Sequence, residues 1–196
     1  PGSGSSDPQG SSRRVTDAVE ILRRADRVAR RESLLDFVCD ATPGYQVGWV
    51  HADICARLEV FFGALQRGES PRLMLFMPPR HGKSQIASRC FPAFALGHDP
   101  SLEVMVVSYS ADLANSFSYD CRDIVKRDWY QETFPEMRLS TDRKGITRWR
   151  TTQGGGYNPI GVGGSITGAG ATLMIIDDIV KNEQEARSAD ILDKHY

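Results

Sequence analysis

"MLFMPPRHGKSQ", residues 74–85, decides how the rest of the chain is read. It holds Gly82-Lys83-Ser84, the close of a phosphate-binding loop, yet Met77 stands where such a loop has its first glycine and Pro78-Pro79 follow. The tripeptide alone is weak. Its setting strengthens it: "RLMLFM" (72–77) reads as a short buried strand and "SQIASRCFPAFALG" (84–97) as a helix, the order the motif requires. Each position then has a chemical reason. Nucleotide phosphates need backbone N–H donors converging at a helix N-terminus. Gly82 lets the backbone approach with no Cβ in the way. Lys83 reaches the β- and γ-phosphates, and Ser84 offers a hydroxyl to Mg²⁺. Prolines have no N–H, so the donors are confined to Arg80, His81, Gly82, Lys83, Ser84 and Gln85. Arg80 adds a cation in reach of the γ-phosphate, placed to sense or stabilise it.

Such a loop needs a second strand that delivers a carboxylate to the Mg²⁺ shell. "TLMIIDDIV" (172–180) supplies it, with acids at the carboxyl end, where ligands bind in open α/β sheets. Asp177 is expected to hold Mg²⁺, directly or through water. Asp178 takes the position where hydrolysing members of this class usually place a glutamate to polarise the attacking water. Glu183 or Glu185, just beyond, could serve instead.

Outward from these motifs, the chain alternates helices and strands. Residues 13–39 read as one amphipathic helix with Val15, Ala18, Val19, Leu22, Ala25 and Ala29 on its apolar face. Arg13, Arg14, Arg23, Arg24, Arg27, Arg30 and Arg31 fall on the other side, a solvated face or a surface for DNA or a partner. "VHADICARLEVFFGALQRG" (50–68) is a second helix stopped by Gly68. "EVMVVSYS" (103–110) is a buried strand, 111–130 a helix, and 146–167 a hairpin with a glycine-rich turn. Apolar strands alternating with helices predict an α/β fold, a mainly parallel sheet covered on both faces. The expected organisation is a flexible Gly/Ser-rich leader over 1–12, a helical segment over 13–68 and a P-loop ATPase core over 69–196.

The bulk numbers bound the partners. With 196 residues, 40% of them hydrophobic, the chain suffices for one stable core. A net charge of -1 gives no general electrostatic reason to wrap nucleic acid, so DNA contact would be local. Cys39, Cys55, Cys90 and Cys121 form no CxxC pair and read as buried free thiols of a reducing compartment. No signal peptide or membrane-spanning run is present, which predicts a soluble protein of the cytoplasm.

Taken together, "PPRHGKS", "VVSYSADLAN", "GGGYNPIGVGGSITGAGATLMIIDD" and "IDDIVKN" resemble the ATPase domain of tailed-bacteriophage terminase large subunits, from about residue 34 onward. The resemblance implies an additional-strand P-loop NTPase with Mg²⁺ as cofactor. It also implies protomers in a ring on the procapsid portal, driving double-stranded DNA into the capsid in the host cytoplasm alongside portal protein and small terminase subunit. Carried over by motif, Lys83, Ser84 and Arg80 are the loop residues, and Asp177 and Asp178 the Walker B acids. Tyr45, Gln46 and His51 match a segment that contacts adenine, although a packed aromatic and a helix-start polar group are equally good readings of Tyr45 and His51. Ala169 occupies a position where relatives often carry arginine; if that arginine enters a neighbour's site, Arg148 or Arg150 is the fallback. The chain ends at Tyr196, before the family's coupling motif and nuclease domain, which implies an ATPase fragment without nuclease activity. Two other readings stay open: another P-loop translocase, and a nucleotide-binding module without turnover.

Overall fold

The computed structural model describes residues 8–141, 145, 147–164 and 170–179. Six α-helices and four strands follow in chain order: α1 (Pro8–Glu32), α2 (Leu34–Ala41), α3 (Trp49–Gln66), a π-helical segment (Gln85–Cys90) running into α4 (Phe91–His98), β1 (Glu103–Ser108), α5 (Ala111–Lys126), α6 (Asp128–Thr133), β2 (Trp149–Arg150), β3 (Gly156–Gly161) and β4 (Leu173–Asp177). The sheet has the order β2-β3-β1-β4. β3 and β4 both run parallel to the central β1, and β2 closes a short antiparallel hairpin on β3. The fold is therefore α/β with a mostly parallel sheet. Ser108, Gly161 and Asp177 stand side by side at its carboxyl end.

The main core lies on one face of the sheet. Val104, Val106, Tyr157 and Leu173 meet apolar side chains of α2, α3, the π segment, α4, α5 and α6 there. Aromatic rings fill its centre: Phe37 makes edge contacts with Phe94, Trp129 and Tyr130 at centroid distances of 5.6, 5.4 and 6.0 Å. The other face carries a smaller cluster of Met105, Val107 and Ile160 beneath Val162 and Ile179. Coverage of both faces by helices was the sequence expectation. Among the described residues every helix that buries apolar side chains does so on the first face.

Three further expectations are corrected. The helix expected over 13–39 is two helices, because Ser33 takes an extended conformation (φ -125°, ψ 119°) and its hydroxyl accepts from the Asp36 N–H. Glu59 of α3 accepts the Leu34 N–H at 2.6 Å, fixing where α2 begins. α1 starts at Pro8, within the stretch read as a leader. Of its expected apolar face, Ala18, Val19, Leu22 and Ala25 stay in solvent, with Val19 43% and Leu22 64% exposed. The seam is made instead by arginines assigned to the polar side: Arg30 pairs with Asp40 and lies over Trp129, while Arg31 donates to the Thr133 carbonyl and lies over Phe134. Long arginine stems cover apolar surface while keeping the charge hydrated.

The second correction concerns 72–77, which enters no ladder. Leu73, Leu75 and Met77 pack on the core, while Met74 and Phe76 are 81% and 89% exposed. That period of two is strand geometry without a strand partner. Apolar composition specified which side is buried, but pairing needs a neighbouring strand, and none of the described ones pairs there. Third, the helix expected over 111–130 breaks at Arg127, whose backbone is extended (φ -67°, ψ 143°).

His98 closes α4 among Phe62, Phe94 and Phe134, and its Nε2–H donates to the Arg31 carbonyl at 2.9 Å. Burial pushes its pKa below the ordinary 6.5; the carbonyl opposes this and the Arg31 charge adds to it. A base depressed in the fold contributes fully above 6.5 and loses that contribution as pH falls toward its folded pKa, because the unfolded chain protonates first. Thermal melts are expected to show stability falling as pH drops below 6.5, and His98→Gln, which keeps a donor, flattens that part of the curve.

Candidate functional site

The site is built where the sheet order reverses, at the carboxyl ends of β1 and β4, the usual place for a ligand in an open α/β sheet. From one side comes the turn at 79–84. Arg80 and Gly82 both take left-handed backbone, with φ of 64° and 81°. The Ile86 N–H then donates to the Gly82 carbonyl at 3.0 Å, beginning the helix. From the other side comes the end of β4, where Asp178 is also left-handed at φ 46°. Arg80 and Asp178 are the only non-glycine residues with positive φ among those described. Such backbone costs about 1–3 kcal/mol and persists where the surroundings over-determine it.

Lys83 joins the two sides. Its Nζ donates to Asp178 Oδ1 at 2.7 Å and lies 3.2 Å from Asp177 Oδ1. Burial works to lower the ammonium pKa, but hydrogen bonds and charge from Asp178 and Asp177 outweigh it and hold the group above its ordinary value. Asp177 is nearly inaccessible, its side chain 5% exposed against 63% for Asp178. Its second oxygen, Oδ2, accepts from the Ser88 hydroxyl at 2.7 Å.

The connection between α2 and α3 shapes the turn. His51 Nδ1 accepts the Gly48 N–H at 2.9 Å, so Nε2 carries the proton and donates to the His81 carbonyl at 3.0 Å. The His81 ring lies with Nδ1 2.8 Å from the Pro79 carbonyl. Tyr45 packs edge-on to His51, and its hydroxyl abuts Gly82 so closely that a Cβ there would lie 2.3 Å away. That hydroxyl is buried with no hydrogen-bond partner among the described residues, and burial, with smaller contributions from Cys55, Cys90 and Cys39, pushes its pKa up to about 12. Gln85 donates to the Thr42 hydroxyl at 2.8 Å.

Of the candidates named from sequence, Lys83, Asp177 and Asp178 come into contact, and Tyr45 and His51 pack on the turn. Gln46 folds back on the Gly44 carbonyl and stays exposed. Arg80 is exposed and makes no hydrogen bond or ion pair among the described residues. Arg150 donates to Glu103 and to the Gly154 carbonyl at the opposite end of β1, and Arg148 is exposed. Ala169, Glu183 and Glu185 lie outside the described residues. Sequence reasoning missed Ser88 and Thr42; Ser88, one helical turn beyond Ser84, was the legible one.

The arrangement offers a cation, two carboxylates and a row of helix-start N–H groups in one place. A carboxylate oxygen of Asp177 and the hydroxyl of Ser84, which makes no capping hydrogen bond, are the hard oxygen donors that suit Mg²⁺. Among known families, one described as terminase large subunit, T4likevirus-type, N-terminal, matches residues 74–196, well over half of the chain, beginning at Met74 of "MLFMPPRHGKSQ". No individual curated protein matches.

Proposed function

The chain belongs to the family of T4likevirus-type terminase large subunits, N-terminal part, and from that membership we propose that it binds and hydrolyses ATP to power DNA packaging. The observation that carries this reading is Lys83 bridging to two acids 94 and 95 residues further along the chain, at the carboxyl edge of a mostly parallel sheet. That meeting of a loop lysine with a strand-end acid pair is what γ-phosphate chemistry requires.

In this mechanism Lys83 leaves the acids to hold the β- and γ-phosphates, and the N–H groups of the 80–85 turn cradle them at the helix start. Arg80 has no partner among the described residues and turns to the γ-phosphate as negative charge develops there. Ser84 and Asp177 hold Mg²⁺. When bound, the ion supplies charge neutralisation across the phosphates. Asp178, released from Lys83, accepts a hydrogen bond from the attacking water and aims it in line. Tyr45 and His51 brace the turn in its left-handed shape. Ring assembly on a portal, a small-subunit partner and double-stranded DNA as the cargo are proposed on family grounds.

Asp178→Asn separates turnover from binding. Asparagine keeps the size and accepts a hydrogen bond but carries no charge to polarise water. ATP·Mg affinity by calorimetry should stay within about threefold, while phosphate release falls about 100-fold or more, the low end of what a positioned base contributes. Unchanged phosphate release in Asp178→Asn would sink the assigned role. Absence of phosphate release in the wild type, with binding intact, favours a binding module instead.

A further inference from the structure

The helix that follows the turn is not regular. Residues 85–90 are π-helical, with the Phe91 N–H donating to the Ile86 carbonyl five residues back. Pro92 explains the irregularity. It has no N–H, and in a regular α-helix its ring would collide with the carbonyl of Ser88. The wider turn moves that carbonyl aside, and the Tyr157 hydroxyl on β3 donates to it at 3.0 Å. Ser88 is thus held from two directions: its carbonyl by Tyr157 of β3, and its hydroxyl by Oδ2 of Asp177 on β4. The residue is fully buried, as is Tyr157 to within 1%.

We infer that Ser88 is a positioning residue for Asp177. Its hydroxyl occupies Oδ2 and so leaves Oδ1, the oxygen facing Lys83, as the one presented to a divalent metal. The π segment aims the hydroxyl, and Pro92 with Tyr157 sets the π segment. A π turn inside a helix often marks a functional site, and here it has an identifiable cause and a single beneficiary. Hydrogen-bonded partners of a ligating carboxylate fix its rotamer and so contribute to metal affinity without touching the metal.

Ser108 provides an internal comparison. It is fully buried and in register with Asp177 on the neighbouring strand, so both side chains leave the same face of the sheet. Its hydroxyl has no hydrogen-bond partner among the described residues. Two buried serines therefore adjoin one carboxylate, and only Ser88 engages it.

The inference rests on Asp177 as a metal ligand, and the test separates the two. Mn²⁺ affinity is measured by electron paramagnetic resonance on the full chain with a non-hydrolysable ATP analogue, and analogue affinity without metal by calorimetry. Ser88→Ala should weaken Mn²⁺ about tenfold, the low end for loss of such a partner, with metal-free analogue affinity unchanged. Ser108→Ala, which removes an equal hydroxyl from an equal depth, should match the wild type. If Ser88→Ala and Ser108→Ala shift Mn²⁺ affinity equally, the positioning role is overturned while the metal site stands. If Asp177→Ala binds Mn²⁺ as tightly as the wild type, the metal site fails and the positioning role falls with it. Melting temperatures of the serine variants keep loss of fold distinct from loss of affinity.

Discussion

Lys83→Ala is expected to move affinity for two ligands in opposite directions. ATP·Mg affinity should fall about 100-fold, the loss expected when a charge-assisted contact of roughly 1.5–3 kcal/mol disappears, and phosphate release should fall to background. Divalent metal without nucleotide should bind more tightly, by about tenfold. The reason for the second effect lies in the ligand-free geometry, where Lys83 Nζ already sits 2.7 Å from Asp178 and 3.2 Å from Asp177. Any metal approaching Asp177 must displace an ammonium whose pKa these carboxylates hold up. Removing it leaves two carboxylates with no cation, one of them nearly inaccessible, so the variant should also melt lower and regain stability on adding Mn²⁺. Calorimetry with ATP·Mg and a Mn²⁺ titration read the two arms. Equal ATP affinity in variant and wild type would refute the loop as a phosphate site. Weaker Mn²⁺ binding in the variant would refute the lysine as a competitor for the acids.

Gly82→Ala should be nearly as damaging, for two separable reasons. At φ 81° an alanine pays the left-handed penalty, about 1–2 kcal/mol. Its Cβ would also lie 2.3 Å from the Tyr45 hydroxyl, with His51 Nε2 at 3.4 Å behind it. Either the turn or the tyrosine must move, and the turn carries the N–H groups proposed to hold phosphate. We expect ATP affinity to fall beyond about 30-fold, a loss of roughly 2 kcal/mol. Tyr45→Phe removes the colliding oxygen but not the backbone penalty. In the Gly82→Ala background it should therefore restore part of the affinity, on the order of the clash alone. A double-mutant cycle measures this coupling. Additive single effects would show that the tyrosine does not shape the turn.

Tyr45→Phe by itself removes an unpaired polar atom from the interior. The hydroxyl is buried without a partner among the described residues; such a group costs about 1–3 kcal/mol, so the variant is expected to melt no lower than the wild type.

Much of this site was legible in the chain. Gly82 and Lys83 marked a tight turn carrying a cation, and the two aspartates after "LMII" the strand end that meets it, because glycine's conformational freedom, an ammonium and a strand-end carboxylate each have few substitutes. The β1, β3 and β4 strands and the hairpin were visible in apolar runs and glycine punctuation. Less was legible in α1, where the apolar stripe of Ala18, Val19 and Leu22 pointed one way and the packed seam of Arg30 and Arg31 another. Periodicity measures what could be buried; the neighbours available decide what is. The same holds at 72–77, extended and alternating as its residues ask, yet unpaired.

The sequence by itself determined which side chains, a lysine after a glycine turn and two strand-end aspartates, could meet at the sheet edge and the order of the elements that deliver them, because those depend on residue type and local spacing. Only the tertiary structure decided which oxygen of Asp177 faces Lys83, that Tyr45 and His51 mould the turn around Gly82, and that Pro92 and Tyr157 turn Ser88 toward β4. Those relations join segments roughly 30 to 90 residues apart. No local propensity encodes them, and they exist only once the core has fixed the distances between helices and sheet.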